Sequence, residues 1–431
     1  MRKAHVMPYK SSDRRAITGL GLLFGAMYFV QGIGEPTEGL VGQPVKSFLK
    51  TNGYSAAEIT SFSALLALPW AIKPLYGLLT DFVPLFGLRR RSYLLLATVA
   101  TTAGLLGLFA TFTPGISRAS LLAALLIPSI GIAFSDVVID ALMVENGQRH
   151  GATGRFQSIQ WAALYGAAIL AGPIGGYLAA HKRQEFGFLI CGIAAGVSLI
   201  LTWVFVRERP MPSERRGARA AWLTLRQAAA TPGLAAVAGF LFLWNFNPFA
   251  NDVLYLHLTE GIGLDEEFYG WTVSLMGVAS VAASIAYGVY CNRVPFGVLL
   301  HLSIAFGVIS TACYGFVVGP KTAVAVTLLV GFTYMTAVLI QLDLAARACP
   351  PEVAGTAFAL LMSVTNISLS MAIAFGGNLY DRWTASWDAQ TAFRMLVALG
   401  TAFSIGCWAF VPFLRRHVAS IESSQAANPA E

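Results

Sequence analysis

The sequence predicts an all-α membrane protein with twelve transmembrane helices in two pseudo-symmetric six-helix bundles. Three observations lead there. The 431 residues are 56% hydrophobic and only 12% charged, against roughly 25% charged in typical globular proteins. So few charges cannot cover a soluble surface for a chain of this length, so most of it must face lipid. Apolar runs of about 20 residues, long enough to cross a bilayer as a helix, recur along the whole chain. A short segment of the first half also recurs in the second. The same composition excludes intrinsic disorder, collagen, coiled coil and a disulfide-stapled secreted module.

The runs lie at 16–34, 56–79, 92–112, 119–142, 156–179, 186–206, 233–256, 269–291, 296–318, 322–344, 354–378 and 391–414. Several contain Gly or Pro, which membrane helices tolerate because neighbouring helices satisfy the freed backbone groups. With both termini cytoplasmic, 20 of the 29 Lys and Arg fall on the inside, the asymmetry that sets orientation in short loops. The first apolar run is long enough to span, so it does not read as a cleavable signal. A bacterial inner-membrane, multi-pass protein is the simplest expectation. The basic segment 207–230 separates a first bundle, 1–206, from a second, 231–414, followed by a cytoplasmic tail, 415–431. Tyr76-Gly77 and Val83-Pro84 recur at one offset of 211 residues as Tyr287-Gly288 and Val294-Pro295, with Asn292 in the place of Asp81. Two related six-helix halves mark transporters that rock around a midplane site.

Other classes lack their residues. The 5 cysteines are scattered, without a CxxC pair, so neither a disulfide framework nor a metal site is expected. The nearest approach to a phosphate-binding loop, Gly315–Thr322 (GFVVGPKT), lacks the Gly-Lys step. HExxH, GxSxG and a convincing GxGxxG are missing as well. An enzyme, an ATP-driven pump and a bound cofactor are therefore not expected. The net charge of +7 sits in short loops between apolar runs, a topology signal rather than a nucleic-acid surface.

Charges inside spans are costly and default to a functional reading. Asp136 and Asp140 are four apart on the fourth span, hence on one face. Two close carboxylates resist ionising together, which suits proton coupling. Alternatively, Asp140 and Glu145 pair with Arg149 or Arg155 near the cytoplasmic end. Lys73, in the second span before Pro74, needs a carboxylate or an anionic ligand; a bridge to Asp136 or Asp140 and a solute contact both fit. Asn245 and Asn366 are intramembrane polar groups that line a cavity or tie helices together.

The loop Gly77-Leu-Leu-Thr-Asp81-Phe-Val-Pro-Leu-Phe-Gly87-Leu-Arg89-Arg90-Arg91 resembles the signature loop of the major facilitator superfamily. That resemblance implies a cytoplasmic gate in which Asp81, Arg89, Arg90 and Arg91 latch one state, with Glu145 and Arg155 as neighbours. A narrower likeness rests on Gln31-Gly32, Pro69-Trp70, Lys73-Pro74, Tyr76-Gly77, Arg89–Tyr93, Asp136 with Asp140 and Glu145, and Gln157-Ser158 with Trp161. Pro248, Cys349-Pro350, Gly355-Thr356, Ser363 and Asn366 extend it to the second half. In these blocks the chain resembles the folate–biopterin transporter family. It departs at Leu88, often Tyr there, and at Ala354, often acidic.

The resemblance implies a folate or pterin as the small-molecule substrate, protons as the coupling ion, and substrate contacts from Lys73, Glu35, Gln31, Trp70, Gln157, Trp161, Asn245 and Asn366. Lys73 would meet a glutamate carboxylate of folate. Glu35 or Asp136 would accept the paired N–H groups of the pterin ring in a fork; Glu35 and Glu38 also fit a solvated outer loop. Trp70, Trp161, Trp244 and Phe249 would stack on the flat ring or pack between helices. The chain is expected to act as a monomer in the lipid bilayer. Two rivals remain: a facilitator-type importer of another solute, such as a sugar–peptide, and a non-transporting receptor.

Overall fold

The computed structural model describes residues 11–37, 39–150, 153–208, 232–249, 252–290, 294–348 and 354–416, with Leu223 and Arg226 between. The first bundle holds α1 (Ser11–Gly34), the short α2 (Gly42–Thr51), α3 (Ala56–Ala71), α4 (Lys73–Phe82), α5 (Arg91–Thr111), α6 (Arg118–His150), α7 (Thr153–Ala180) and α8 (Gln184–Phe205). The second holds α9 (Pro232–Asn245), α10 (Asp252–Leu256), α11 (Glu266–Tyr290), α12 (Phe296–Cys313), α13 (Pro320–Ala348), α14 (Ala354–Thr384) and α15 (Ala389–Gly406).

Among the described residues, 11 helices are long and apolar enough to cross a membrane, rather than the expected twelve. The difference lies in run 233–256. It is split into α9, of 14 residues, and α10, which passes into a π-helical turn at His257–Gly261. Pro248 stands in the gap; it has no N–H for the helical ladder and disfavours helix at the residue before it. The second run, 56–79, is also two pieces. Ser55 and Glu58 form a reciprocal capping box that starts α3, and the chain breaks at Ile72, with Pro74 in the first turn of α4.

Helix α5 packs on both α6 and α8, and α1 lies against α6, α7 and α8; in the second bundle α12 packs on both α13 and α15, and α13 packs on α11. Two helix pairs make the seam: α7 with α11, and α3 with α14. Backbones meet closely where α7 crosses α11. A Cβ at Gly270 would lie 3.0 Å from the Cα of Gly176 and would collide with the carbonyl of Gly172. Only glycine permits that approach, as small residues do generally in membrane helix pairs.

The two ends of the molecule differ. At the end carrying α2, one continuous apolar core runs through both bundles and includes Leu40, Phe48 and Phe188 with Phe249, Tyr255 and Phe393. At the end carrying the chain termini, the cores are separate: Phe24, Tyr93 and Phe156 in the first bundle, and Phe240, Leu344 and Leu414 in the second. The bundles are thus packed together at the α2 end and have independent cores at the terminal end.

Candidate functional site

The intramembrane charges converge where α1, α4 and α6 meet. Lys73 opens α4 and its ammonium pairs with Asp136 of α6; the side chains are only 18% and 6% exposed. Gln31 of α1 donates its amide N–H to the other oxygen of Asp136 at 2.5 Å. That bond fixes the amide orientation and leaves Gln31 Oε1 buried without a hydrogen-bond partner among the described residues. Trp70 places its ring under Lys73, 4.3 Å from the ammonium, and its indole N–H is likewise buried and unpartnered. Buried polar groups are ordinarily satisfied, so an orphan acceptor and an orphan donor beside one ion pair mark the place as unusual.

One turn along α6, Asp140 accepts from the Tyr28 hydroxyl and, at 3.2 Å, from Gln160 of α7. Its hydrogen-bond partners among the described residues are neutral. Two carboxylates thus lie one turn apart beside one ammonium, which pairs with Asp136 among the described residues. Tyr28 and Gln31, three apart on α1, face the two carboxylates together. The sequence reading did not single out Tyr28 or Gln160. The signal was available: each lies three residues from a Gln already selected.

The break at Ile72 ties this group to the other bundle. Pro74 has no N–H to offer the Trp70 carbonyl, and Leu75 N–H turns back to Ile72 O at 2.9 Å. The carbonyls of Trp70 and Ala71 are consequently free of the helical ladder. Asn366 of α14 donates to the first at 3.0 Å and Ser363 donates to the second at 2.8 Å. Asn366 thus stands at the seam, beside the Trp70–Lys73 segment.

Other expected site residues lie elsewhere. Glu35 accepts from Thr37 N and Oγ1, at 3.0 and 2.7 Å, where α1 ends. Asn245 bonds back to Leu241 O at 2.8 Å. Trp161 stacks on Tyr165 at 6.0 Å between ring centres. Trp244 stacks on Tyr334 inside the second bundle, and Phe249 packs against Tyr314 and Phe393. The side chains of Asp81, Arg155 and Gln157, and all of Glu38, lie outside the described residues.

At the terminal end, Arg90 is buried, reaches Glu145 at 2.9 Å and donates to Thr80 Oγ1 at 2.7 Å. Glu208, just past α8, accepts from the backbone N–H groups of Arg89, Arg90 and Arg91, each at 2.9 Å. A carboxylate there satisfies the first amides of α5 and meets the positive end of its dipole. Arg91 lies over the Trp203 ring at 5.5 Å. Glu208 was hidden from the sequence reading inside a run of arginines.

An all-helical, multi-pass membrane protein with two bundles about a seam, and with buried charges beside that seam, is a transporter of the major facilitator fold. Solved structures carry the same architecture. The nucleoside transporter NupG in its D323A form gives a TM-score of 0.69 at 13% identity, covering 91% of this chain and 99% of that one. A D-xylose-proton symporter also gives 0.69, at 15% identity, over 93% and 98%. The BT1 family model matches residues 37–426. The folate-biopterin transporter of Synechocystis is 32% identical over 422 residues, 90% of this chain and 80% of its own length. The chain belongs to the BT1 family. Its relatives are transporters rather than enzymes, and a transporter of this kind takes a small-molecule substrate.

Proposed function

We propose that the protein imports a folate- or pterin-type compound together with protons across a bacterial inner membrane, with both termini cytoplasmic. The observation that carries this reading is the buried Lys73–Asp136 pair with Asp140 one turn away, two carboxylates to one ammonium. The printed name of the Synechocystis relative supports the solute class. Residues 1–206 and 231–414 act as the two rocking units, joined by 207–230, with a tail at 415–431; the basic loops favour the terminal end as cytoplasmic.

In this mechanism a proton taken up at Asp136 neutralises the fixed counterion of Lys73 and releases the ammonium, with Asp140, one turn away, as the second proton-coupling carboxylate. The ammonium then meets an anionic group of the solute, whose flat ring lies against Trp70. Gln31 Oε1 and the Trp70 N–H offer an acceptor and a donor to the ring edge. Solute and proton together remove the cost of leaving one buried charge unpaired. Only contacts that differ between the two states shift the rocking equilibrium. Asp81 and Arg89–Arg91 with Glu145 and Arg155 serve the gate at the terminal end.

Proteoliposome uptake of labelled folate, with and without an acid-outside gradient, tests the reading. Uptake is expected to rise with the gradient, and Asp136→Asn is expected to abolish that rise. Uptake indifferent to the gradient removes the proton coupling. Absence of folate uptake removes the solute, and binding to a panel of folates, amino acids, sugars and muropeptides then identifies the class.

A further inference from the structure

Helix α2 crosses no membrane, yet eight of its 10 residues are buried. Gln43, Lys46 and Lys50 recur at i, i+3 and i+7, so they share one face. All three side chains reach the second bundle. Lys46 pairs with Asp252 at 2.7 Å, and these side chains are 8% and 1% exposed. Lys50 pairs with Glu266 at 2.6 Å and lies over the Tyr255 ring at 5.0 Å. Gln43 donates to the Glu266 carbonyl at 2.7 Å and to its carboxylate at 3.0 Å. Tyr255 donates to the same carboxylate at 2.7 Å. At another corner of this end, Asp381 of α14 accepts from the first amides of α3, Ala56 N at 3.1 Å and Ala57 N at 2.8 Å.

Three carboxylates of the second bundle, Asp252, Glu266 and Asp381, are therefore held by the first bundle, all at the α2 end and above the core that both bundles share. At the terminal end, the described ionic contacts of Arg90 with Glu145, and of Glu208 with the start of α5, stay within the first bundle.

We propose that α2 is the gate of its end of the transporter: Lys46–Asp252 and Lys50–Glu266 close the bundles there and part when that end opens. The proposal rests on the chain being a rocking transporter and is independent of its solute. Buried ion pairs suit such a gate. Removing one partner leaves an uncompensated charge, whereas opening the end admits water to both partners at once. The closed state is then favoured without being locked.

The test places spin labels at Thr51→Cys and Ser386→Cys, both exposed, in a background free of native cysteines, and reads the distance distribution across the α2 end without solute. Lys50→Gln and Lys46→Gln are each expected to add a population at longer distance. The exchange Lys50→Glu with Glu266→Lys is expected to restore the short one. Glu58→Gln, which removes the Arg118–Glu58 pair at 3.1 Å inside the first bundle, is expected to leave the distribution unchanged. If either Gln variant fails to fold, the other reports on the same gate. Unchanged distributions in the Gln variants overturn the proposal, and so does an equal shift in Glu58→Gln. The readout needs no transport, so its failure is distinct from failure of the folate reading.

Discussion

Asp136→Asn keeps the shape of the side chain and removes its charge, leaving the Lys73 ammonium buried without its counterion. Breaking a buried pair by removing one partner costs about 3–5 kcal/mol. Lys73 retains 18% exposure and the Trp70 ring at 4.3 Å, and such a ring contributes about 1–2 kcal/mol to a partly desolvated cation, so the expected loss is about 2–3 kcal/mol. At about 2 cal/mol/K of unfolding entropy per residue, that lowers the melting midpoint by about 3 °C. The double variant Lys73→Met with Asp136→Leu removes both charges at similar volume and is expected to fall within about 1 kcal/mol of the parent. A four-member cycle of the parent, Lys73→Met, Asp136→Leu and their double variant, read as melting midpoints in detergent with uptake measured on each and on Asp136→Asn, separates the pair from its surroundings. Every variant is expected to lose uptake, while only the single substitutions lose stability. An Asn variant as stable as the parent, or a double variant that still transports, would refute the reasoning.

Four further outcomes are expected. Gly270→Leu drives a side chain into the Gly172 carbonyl and should abolish a monodisperse preparation in gel filtration. Asp388, outside the spans, caps α15; its bonds from Thr391 Oγ1 and then Thr391 N hold its carboxyl below the usual range. A depressed folded value means the cap contributes above the unfolded pKa and is lost as pH falls through the folded one, so the protection of the Thr391–Phe393 amides, measured against their intrinsic exchange rates, should fall below about pH 4, and Asp388→Ala should flatten that profile. Glu208→Ala removes the acceptor of three amides and should speed exchange at Arg89–Arg91, at a cost of about 1 kcal/mol. Asn366→Leu leaves the Trp70 carbonyl unsatisfied, costing about 1–3 kcal/mol, and should lower uptake rate while solute affinity in detergent stays near that of the parent.

The membrane fold was legible because burial in lipid is a bulk property that a 20-residue window averages well. The same averaging concealed the breaks at Ile72 and around Pro248, each of which occupies a few residues inside an apolar run. The spacing of Asp136 and Asp140 placed both on one face, and the structure has α1 meeting both, through Gln31 and Tyr28. Tyr28 itself is 0% exposed in an apolar run, and nothing local separates it from core. Lys73 was recognisable as needing a partner, but the choice of Asp136 depends on helix packing 63 residues away. Ser363 and Asn366 lie 292 and 296 residues from the carbonyls they satisfy, a pairing that only the seam creates. Lys46 and Lys50 carry no local signal in the sequence beyond their charge, because their partners belong to the other bundle.

Residues 70–73 are bound to both bundles at once, and this gives the charged group its leverage. The Trp70 and Ala71 carbonyls are held by α14, while Lys73 is held by α6. Between them the regular ladder is interrupted at Ile72, whose carbonyl accepts from Leu75 N–H, so the segment joins two helices rather than continuing one. Under the proposed mechanism a proton on Asp136, or an anion at Lys73, would weaken the tie to α6 and leave the tie to α14 intact. The segment would then follow the second bundle rather than resist it. At the far end, the α2 pairs of the proposed gate would oppose the same motion. On these two proposals, occupancy at Lys73 and closure at Lys46 and Lys50 would act on one rocking coordinate from its middle and from its rim, and a solute that engages Lys73 would bias that coordinate only by as much as it changes the tie to Asp136.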